Sequence, residues 1–211
     1  MPDVFTEFNI TGVDLFALLF LAAVWVGYVA FAARHGRRVP SLHSRMDIFR
    51  REWMVRMIER DNRMVDVNVM RNLTRSSQFF ASTTMLILGA LIALTGYVQQ
   101  ALDVVSGLPF TVKGTARLLE MKILLLVVIF VYAFFKFAWS YRLFNYGAIL
   151  IGAVPVLKEG IHDQALAAAR RAGAMNVVAG QHFNRGQRAY FFALAYLGWF
   201  IHPYVFFAST A

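Results

Sequence analysis

The chain contains no cysteine. Disulfides, thiolate metal sites and Cys-ligated iron–sulfur clusters are excluded, and the redox compartment is left undetermined. Charge is also scarce: Asp, Glu, Lys and Arg make up 16% of the 211 residues, against about 25% in ordinary soluble domains. Acidic groups are the scarcer sign, 12 against 21 basic, which gives a formal net charge of +9. Histidine is limited to His35, His43, His162, His182 and His202. A b-type haem needs two histidines at matched depth on facing helices. Only His202 lies in a long apolar run, so no haem is expected. No carboxylate stands at the centre of such a run. Nucleophile motifs, phosphate loops and metal-ligand clusters are likewise missing. The sequence predicts neither an enzyme nor a bound cofactor or metal.

What is plentiful is apolar surface. Hydrophobic residues reach 59%, with a mean hydropathy of +0.55. About 20 mostly apolar residues suffice to cross the hydrocarbon core. Four runs qualify: residues 15–33, 79–98, 123–143 with Lys136 inside, and 189–208 with His202 and Pro203 near its end. The expected fold is therefore all-α, a membrane bundle of four transmembrane helices forming one domain over residues 1–211. A fifth apolar stretch, Tyr146 to Leu157, is too short to span and is interrupted by Gly147, Gly152 and Pro155. It fits a helix at the interface or packed under the bundle. The alternative is a re-entrant segment lining a cavity.

Basic residues set the orientation. Eleven arginines from Arg34 to Arg75 follow the first run, and Lys158, Arg170, Arg171, Arg185 and Arg188 follow the third. The loop after the second run holds only Lys113 and Arg117 before Lys122. Both basic segments belong in the cytoplasm, which places the N-terminus and the C-terminus outside. The expected location is the bacterial inner membrane. Arginines beside a membrane meet anionic lipid headgroups, each attraction being about 1 kcal/mol; Arg50, Arg51 and Arg56 are the candidate contacts. No nucleic-acid motif accompanies the basicity, so nucleic acid is not an expected partner.

The two basic segments, about 41–72 and 161–187, carry helical periodicity. Met46, Phe49, Trp53 and Met57 form a narrow apolar stripe. Asp47–Arg51, Glu52–Arg56 and Glu59–Arg63 have the spacing of helix-supporting ion pairs. The stripe needs a partner, either the membrane surface or a bundle with the alanine-rich second segment. Small residues also recur on single faces of the apolar runs: Ala23, Gly27 and Ala30; Ser82, Gly89, Ala93 and Gly96; Ala195 and Gly198. Such faces let membrane helices pack closely, within one protomer or in a homo-oligomer.

Lys136 has two explanations. Its stem bends toward the cytoplasmic interface, with Trp139, Tyr141 and Arg142 as the belt beside it. Alternatively, Lys136, Ser140 and Arg142 face a wet interior together with Ser82 and Thr83 of the second run. A hydroxyl-lined funnel with cations at its mouth favours anions. Pro203 also removes a donor and frees the Trp199 carbonyl, a place for a kink.

Three stretches, RNLTRSSQFFAST (71–83), KFAWSYRLFNYGAILIGAVP (136–155) and FNRGQRAYFFALAYLGWF (183–200), resemble an uncharacterised family of bacterial and plant membrane proteins catalogued as a domain of unknown function. The resemblance runs from the first apolar run to the fourth. It implies a multi-span membrane protein and transfers no activity or site residue. The functional expectation rests on the residues: a homo-oligomeric channel or transporter for small ions, leaning to anions. The alternative is an accessory or scaffold subunit of a larger membrane complex.

Overall fold

The computed structural model describes residues 42–107, 115–156 and 162–210, with isolated positions between 16 and 27. Most of the first apolar run, Arg34, Arg37, Arg38, Lys113 and Lys158 lie outside the described residues. Those positions that are described within the first run are helical. The remaining elements are α1 (Leu42–Arg56), a 3-10 turn (Met57–Glu59), α2 (Met64–Thr95), α3 (Val98–Ser106), α4 (Ala116–Ala153), α5 (His162–Ile201) and α6 (Pro203–Thr210). No strand occurs among the described residues.

Local chemistry accounts for the helix ends. Asn62 Oδ1 accepts the Met64 N–H at 2.9 Å and starts α2. Thr115 Oγ1 accepts the Leu118 N–H at 3.3 Å and starts α4. The α4 helix stops two residues before Pro155, a residue type that disfavours helical backbone just ahead of it. Pro203 occupies the first position of α6, where its missing N–H is no loss. His202 caps that helix, its Nδ1 accepting the Tyr204 N–H at 3.2 Å.

The helices do not break where hydropathy changes. The first basic segment, expected over about 41–72, is interrupted by the 57–63 turn, and its last residues open α2, which runs unbroken into the second apolar run. Residues 146–153 are the last turns of α4, with Ile151 buried in a core cluster, which fits the expected packed helix. The α5 helix likewise carries the second basic segment directly into the fourth run. That fourth run is not one rod. Ser209 and Ala195 would stand about 21 Å apart along a straight helix at 1.5 Å per residue. Instead Ser209 Oγ donates to the Ala195 carbonyl at 3.0 Å. The chain reverses at His202–Pro203, and α6 lies back along α5. Gly198 makes the room, since a Cβ there would sit 3.1 Å from the Phe206 N.

Contacts divide the chain into two compact units. The first comprises residues 1–35, 84–132 and 188–211, and the second 36–83 and 133–187. Charge divides with them. The second unit holds 16 of the 21 basic and 7 of the 12 acidic residues, and so the whole +9; the first holds five of each and is neutral. The core of the second unit joins Met54, Met57, Met70, Phe144 and Ile151 to the alanines of α5. In the first, Val98 of α3 packs with Leu119 and Ile123 of α4, backed by Leu91 and Phe200.

Among the described residues, α2 and α4 are the two helices long and apolar enough to cross a membrane. Much of their apolar surface faces outward: Met85, Leu86 and Ile92 on α2, and Leu124, Val128 and Phe135 on α4. Leu86 alone is 76% exposed. Isolated exposed apolar residues are ordinary in soluble proteins, whereas rows of them mark a surface that lipid or protein covers.

Candidate functional site

The second unit builds a seam between α1 and α5. On α5, Ala165, Ala169, Ala172, Asn176 and Ala179 are buried at alternating spacings of four and three. Small residues at that period let another helix approach closely. Gly173 marks the closest point, because a Cβ there would lie 3.4 Å from the Arg51 Cα. Gly180 leaves a notch that Arg50 fills; a Cβ would stand 2.7 Å from its Cζ.

Arg50 is therefore turned inward. It donates to Asn176 Oδ1 at 2.6 Å and to the Asn176 carbonyl at 3.2 Å. Its guanidinium also lies 5.7 Å from the centroid of the Phe144 ring. Burial lowers the Arg50 pKa, and the nearby Asp47 carboxylate partly opposes this. Of the three arginines expected to contact lipid, Arg50 is thus occupied by α5, and only Arg51 and Arg56 are exposed.

Those two side chains line an open groove of about 450 Å³ with Glu52, Val55 and Arg170. Arg170 reaches it from α5, one turn beyond Leu166. The ion pairs anticipated along α1 do not form. Asp47 accepts a hydrogen bond from Gln181 at 3.0 Å, and Arg63 turns to backbone carbonyls. Among the described residues Arg51, Arg56, Arg170 and Glu52 have no hydrogen-bond or ion-pair partner. Three arginine side chains and one carboxylate thus line one concavity.

The anticipated stripe on α1 also divides. Trp53 and Met57 pack into the core, whereas Met46 and Phe49 are exposed, and Met54 takes the inward position. Of the two partners expected for α1, the bundle with α5 is the one observed. A polar latch closes its far end. Asp66 is fully buried, accepts the Trp53 Nε1–H at 2.6 Å and is ion-paired with Arg60. Arg63 donates to the carbonyls of Ile151 (3.3 Å) and Pro155 (2.9 Å) and also to that of Val154, capping α4.

The residues expected to line a funnel do not share one environment. Ser140 is fully buried, bonded to Ser77 Oγ at 3.1 Å and donating to the Ala179 carbonyl at 2.8 Å. It bolts α2, α4 and α5 together. Ser82 is exposed and Thr83 half-buried. Arg142 is exposed, its Nε donating to the Tyr146 hydroxyl at 2.7 Å. Lys136 is half-buried and adds its charge to that of Arg185 beside His182. The His182 Nδ1 is buried with no partner. Among the described residues no group of three His, Asp or Glu side chains is placed to hold a metal ion.

Sequence reasoning did not reach Arg170, Asn176, Asp66 or Arg63 as working residues. The alanine spacing and the glycines seven apart at 173 and 180 were the available signal for the seam.

These features define an all-helical protein with two helices able to cross a membrane and an arginine-lined groove on its charged unit. Residues 16–211 match DUF599, a family of proteins of unknown function, and the chain belongs to that family. No curated protein and no solved structure matches it.

Proposed function

We propose that this is an integral protein of the bacterial cytoplasmic membrane that passes small anions as a homo-oligomer. In this reading the first run, α2, α4 and α5 each cross the membrane, the +9 unit lies in the cytoplasm, and the N-terminus and the reversal at His202–Pro203 lie outside, with α6 folded back from it. The observation that carries it is the partition of charge, with all of the net charge in one unit and none in the other. A positive unit on one side of a bilayer raises the local concentration of anions at that face. Ser140 and Ser77 are consumed in interhelical hydrogen bonds, which favours a pathway between protomers over one within a protomer. The α2 helix is the candidate lining, since Ser82, Gly89, Ala93 and Gly96 are all exposed. Lys136 and Arg142 stand as the cations at the entrance. Purified protein in liposomes is expected to pass chloride or another small anion, with Lys136→Ala altering selectivity. Flux no greater than in empty liposomes, over several pH values and voltages, would falsify the proposal.

The same buried hydroxyls support a second reading, an accessory or scaffold subunit of a larger membrane complex. The outward apolar rows on α2 and α4 suit contact rather than passage. Extraction in mild detergent then recovers a foreign partner in fixed ratio, whereas the channel reading predicts copies of this chain alone.

A further inference from the structure

We propose that the groove of Arg51, Arg56 and Arg170 is a phosphate site, taking an anionic phosphate ester that also carries a hydroxyl or amine. Guanidinium forks match phosphate oxygens two at a time and suit this ion better than a halide. The side chains of Arg51 and Arg56 from α1 and of Arg170 from α5 line this one groove, and among the described residues none of the three has a hydrogen-bond or ion-pair partner. Three cationic side chains against the single carboxylate of Glu52 leave the groove net positive, so an anion is its complement. Glu52 sets the rest of the ligand. A carboxylate in a cationic groove repels a bare anion but accepts a hydrogen bond from a hydroxyl or ammonium on the same molecule. Val55 supplies an apolar patch for the carbon between the two groups. The volume, about 450 Å³, lies in the range of small-molecule sites.

The groove is also held in shape. Gly173 brings α1 against α5, and Arg50 in the Gly180 notch fixes the neighbouring residue of Arg51. Inward Arg50 and outward Arg51 thus divide the labour of adjacent positions, one locking the helices and the other facing the ligand. Glycerol phosphate satisfies the description either as the headgroup of phosphatidylglycerol or as a free metabolite-sized ester. The site does not depend on whether the protein conducts ions.

The test uses the full chain in nanodiscs. Glycerol 3-phosphate and inorganic phosphate are titrated calorimetrically at constant ionic strength in phosphatidylcholine discs, with chloride as the reference. Retention of phosphatidylglycerol from mixed discs is read by native mass spectrometry. Glycerol 3-phosphate should bind more tightly than inorganic phosphate, and Glu52→Gln should narrow that difference. Arg51→Ala and Arg170→Ala should each weaken binding about tenfold or more, as loss of a charge-assisted hydrogen bond does. Binding of the soluble ester in pure phosphatidylcholine discs identifies a free ligand. Retention of phosphatidylglycerol alone, lost in the same variants, identifies the lipid headgroup. The exposed arginines outside the groove provide the control, Arg45→Ala with Arg71→Ala. Three results overturn the site: no probe binding above chloride, equal weakening in the control, or full affinity when all three groove arginines become lysine.

Discussion

Lys122 Nζ donates to the Trp199 carbonyl at 3.0 Å, and the same ammonium lies 4.8 Å from the centroid of the Trp199 ring. In an unbroken helix that carbonyl would receive the N–H of residue 203, but Pro203 has none. Lysine from α4 replaces the missing donor. The Tyr196 hydroxyl returns a bond to the Lys122 carbonyl at 3.0 Å, so the two helices are joined twice. Lys122→Met keeps the stem and removes the donor. It should lower unfolding stability by about 1–3 kcal/mol, the cost of an unsatisfied buried carbonyl. Denaturant titration in detergent measures this, and a variant as stable as the parent would show that water already serves Trp199.

How much of this was legible in the sequence differs from element to element. Pro203 announced the kink and the freed carbonyl, because both follow from one residue's covalent structure. The full reversal of α6 and the role of Lys122 did not follow, since the partner lies 77 residues away. Hydropathy located the apolar runs but not the helix ends: α2, α4 and α5 continue unbroken through residues 72–79, 143–146 and 187–189, where the polarity changes. Backbone hydrogen bonding continues through a change in side-chain polarity, whereas only caps and prolines stop it. The α3 helix went unread, although Val98, Ala101 and Leu102 set an apolar face against Gln99, Gln100 and Asp103. On α1, apolar spacing ranked Phe49 inward and Arg50 outward. The reverse holds because Gly180 and Asn176 on another helix prepare a polar notch, which no local pattern encodes. The candidate funnel failed to assemble as one lining for a related reason: hydroxyl groups inside helices bond to backbone carbonyls and to each other as readily as they face water.

Gly186 offers a sharper packing test. A Cβ there would stand 2.7 Å from the edge of the Phe137 ring. That ring is fully buried, stacked on Phe80 at 5.0 Å and edge-on to Phe183 at 5.6 Å. It has nowhere to move. Gly186→Ala is expected to cost about 1–3 kcal/mol by overpacking, and Phe137→Leu in the same chain should recover part of it. Double-mutant analysis of thermal unfolding reads the coupling; additive effects would mean the ring relaxes freely.

The Arg63 cap predicts a local effect more than a global one. Replacing it by Met removes the donors for the carbonyls of Ile151, Val154 and Pro155 while retaining much of the apolar stem. The final turn of α4 should fray, costing about 1–3 kcal/mol. Hydrogen exchange should accelerate at residues 149–153 and remain unchanged near Ile123, in the first unit. Uniform acceleration across α4 would contradict a capping role.

His182 predicts a pH dependence with a definite sign. Burial, then the positive charges of Lys136 and Arg185, hold its pKa below the ordinary 6.5. Its ring meets Trp139 edge-on at 6.4 Å, and the buried Nδ1 finds no acceptor to reward a proton. In the unfolded chain the imidazole takes up a proton near pH 6.5; in the folded protein it resists until a lower pH. The unfolded state therefore binds more protons in that window, and stability falls as pH drops through 6.5. The loss levels off once the folded imidazole titrates, and above about pH 7 the group contributes no dependence. Unfolding midpoints at pH 7.5 and 5.0 should differ less in His182→Phe than in the parent. Lys136→Met should raise the folded imidazole pKa by removing one repulsive charge, which imidazole resonances in a pH titration follow directly. An unchanged titration would leave burial and Arg185 as the causes and discharge Lys136 from any part in it.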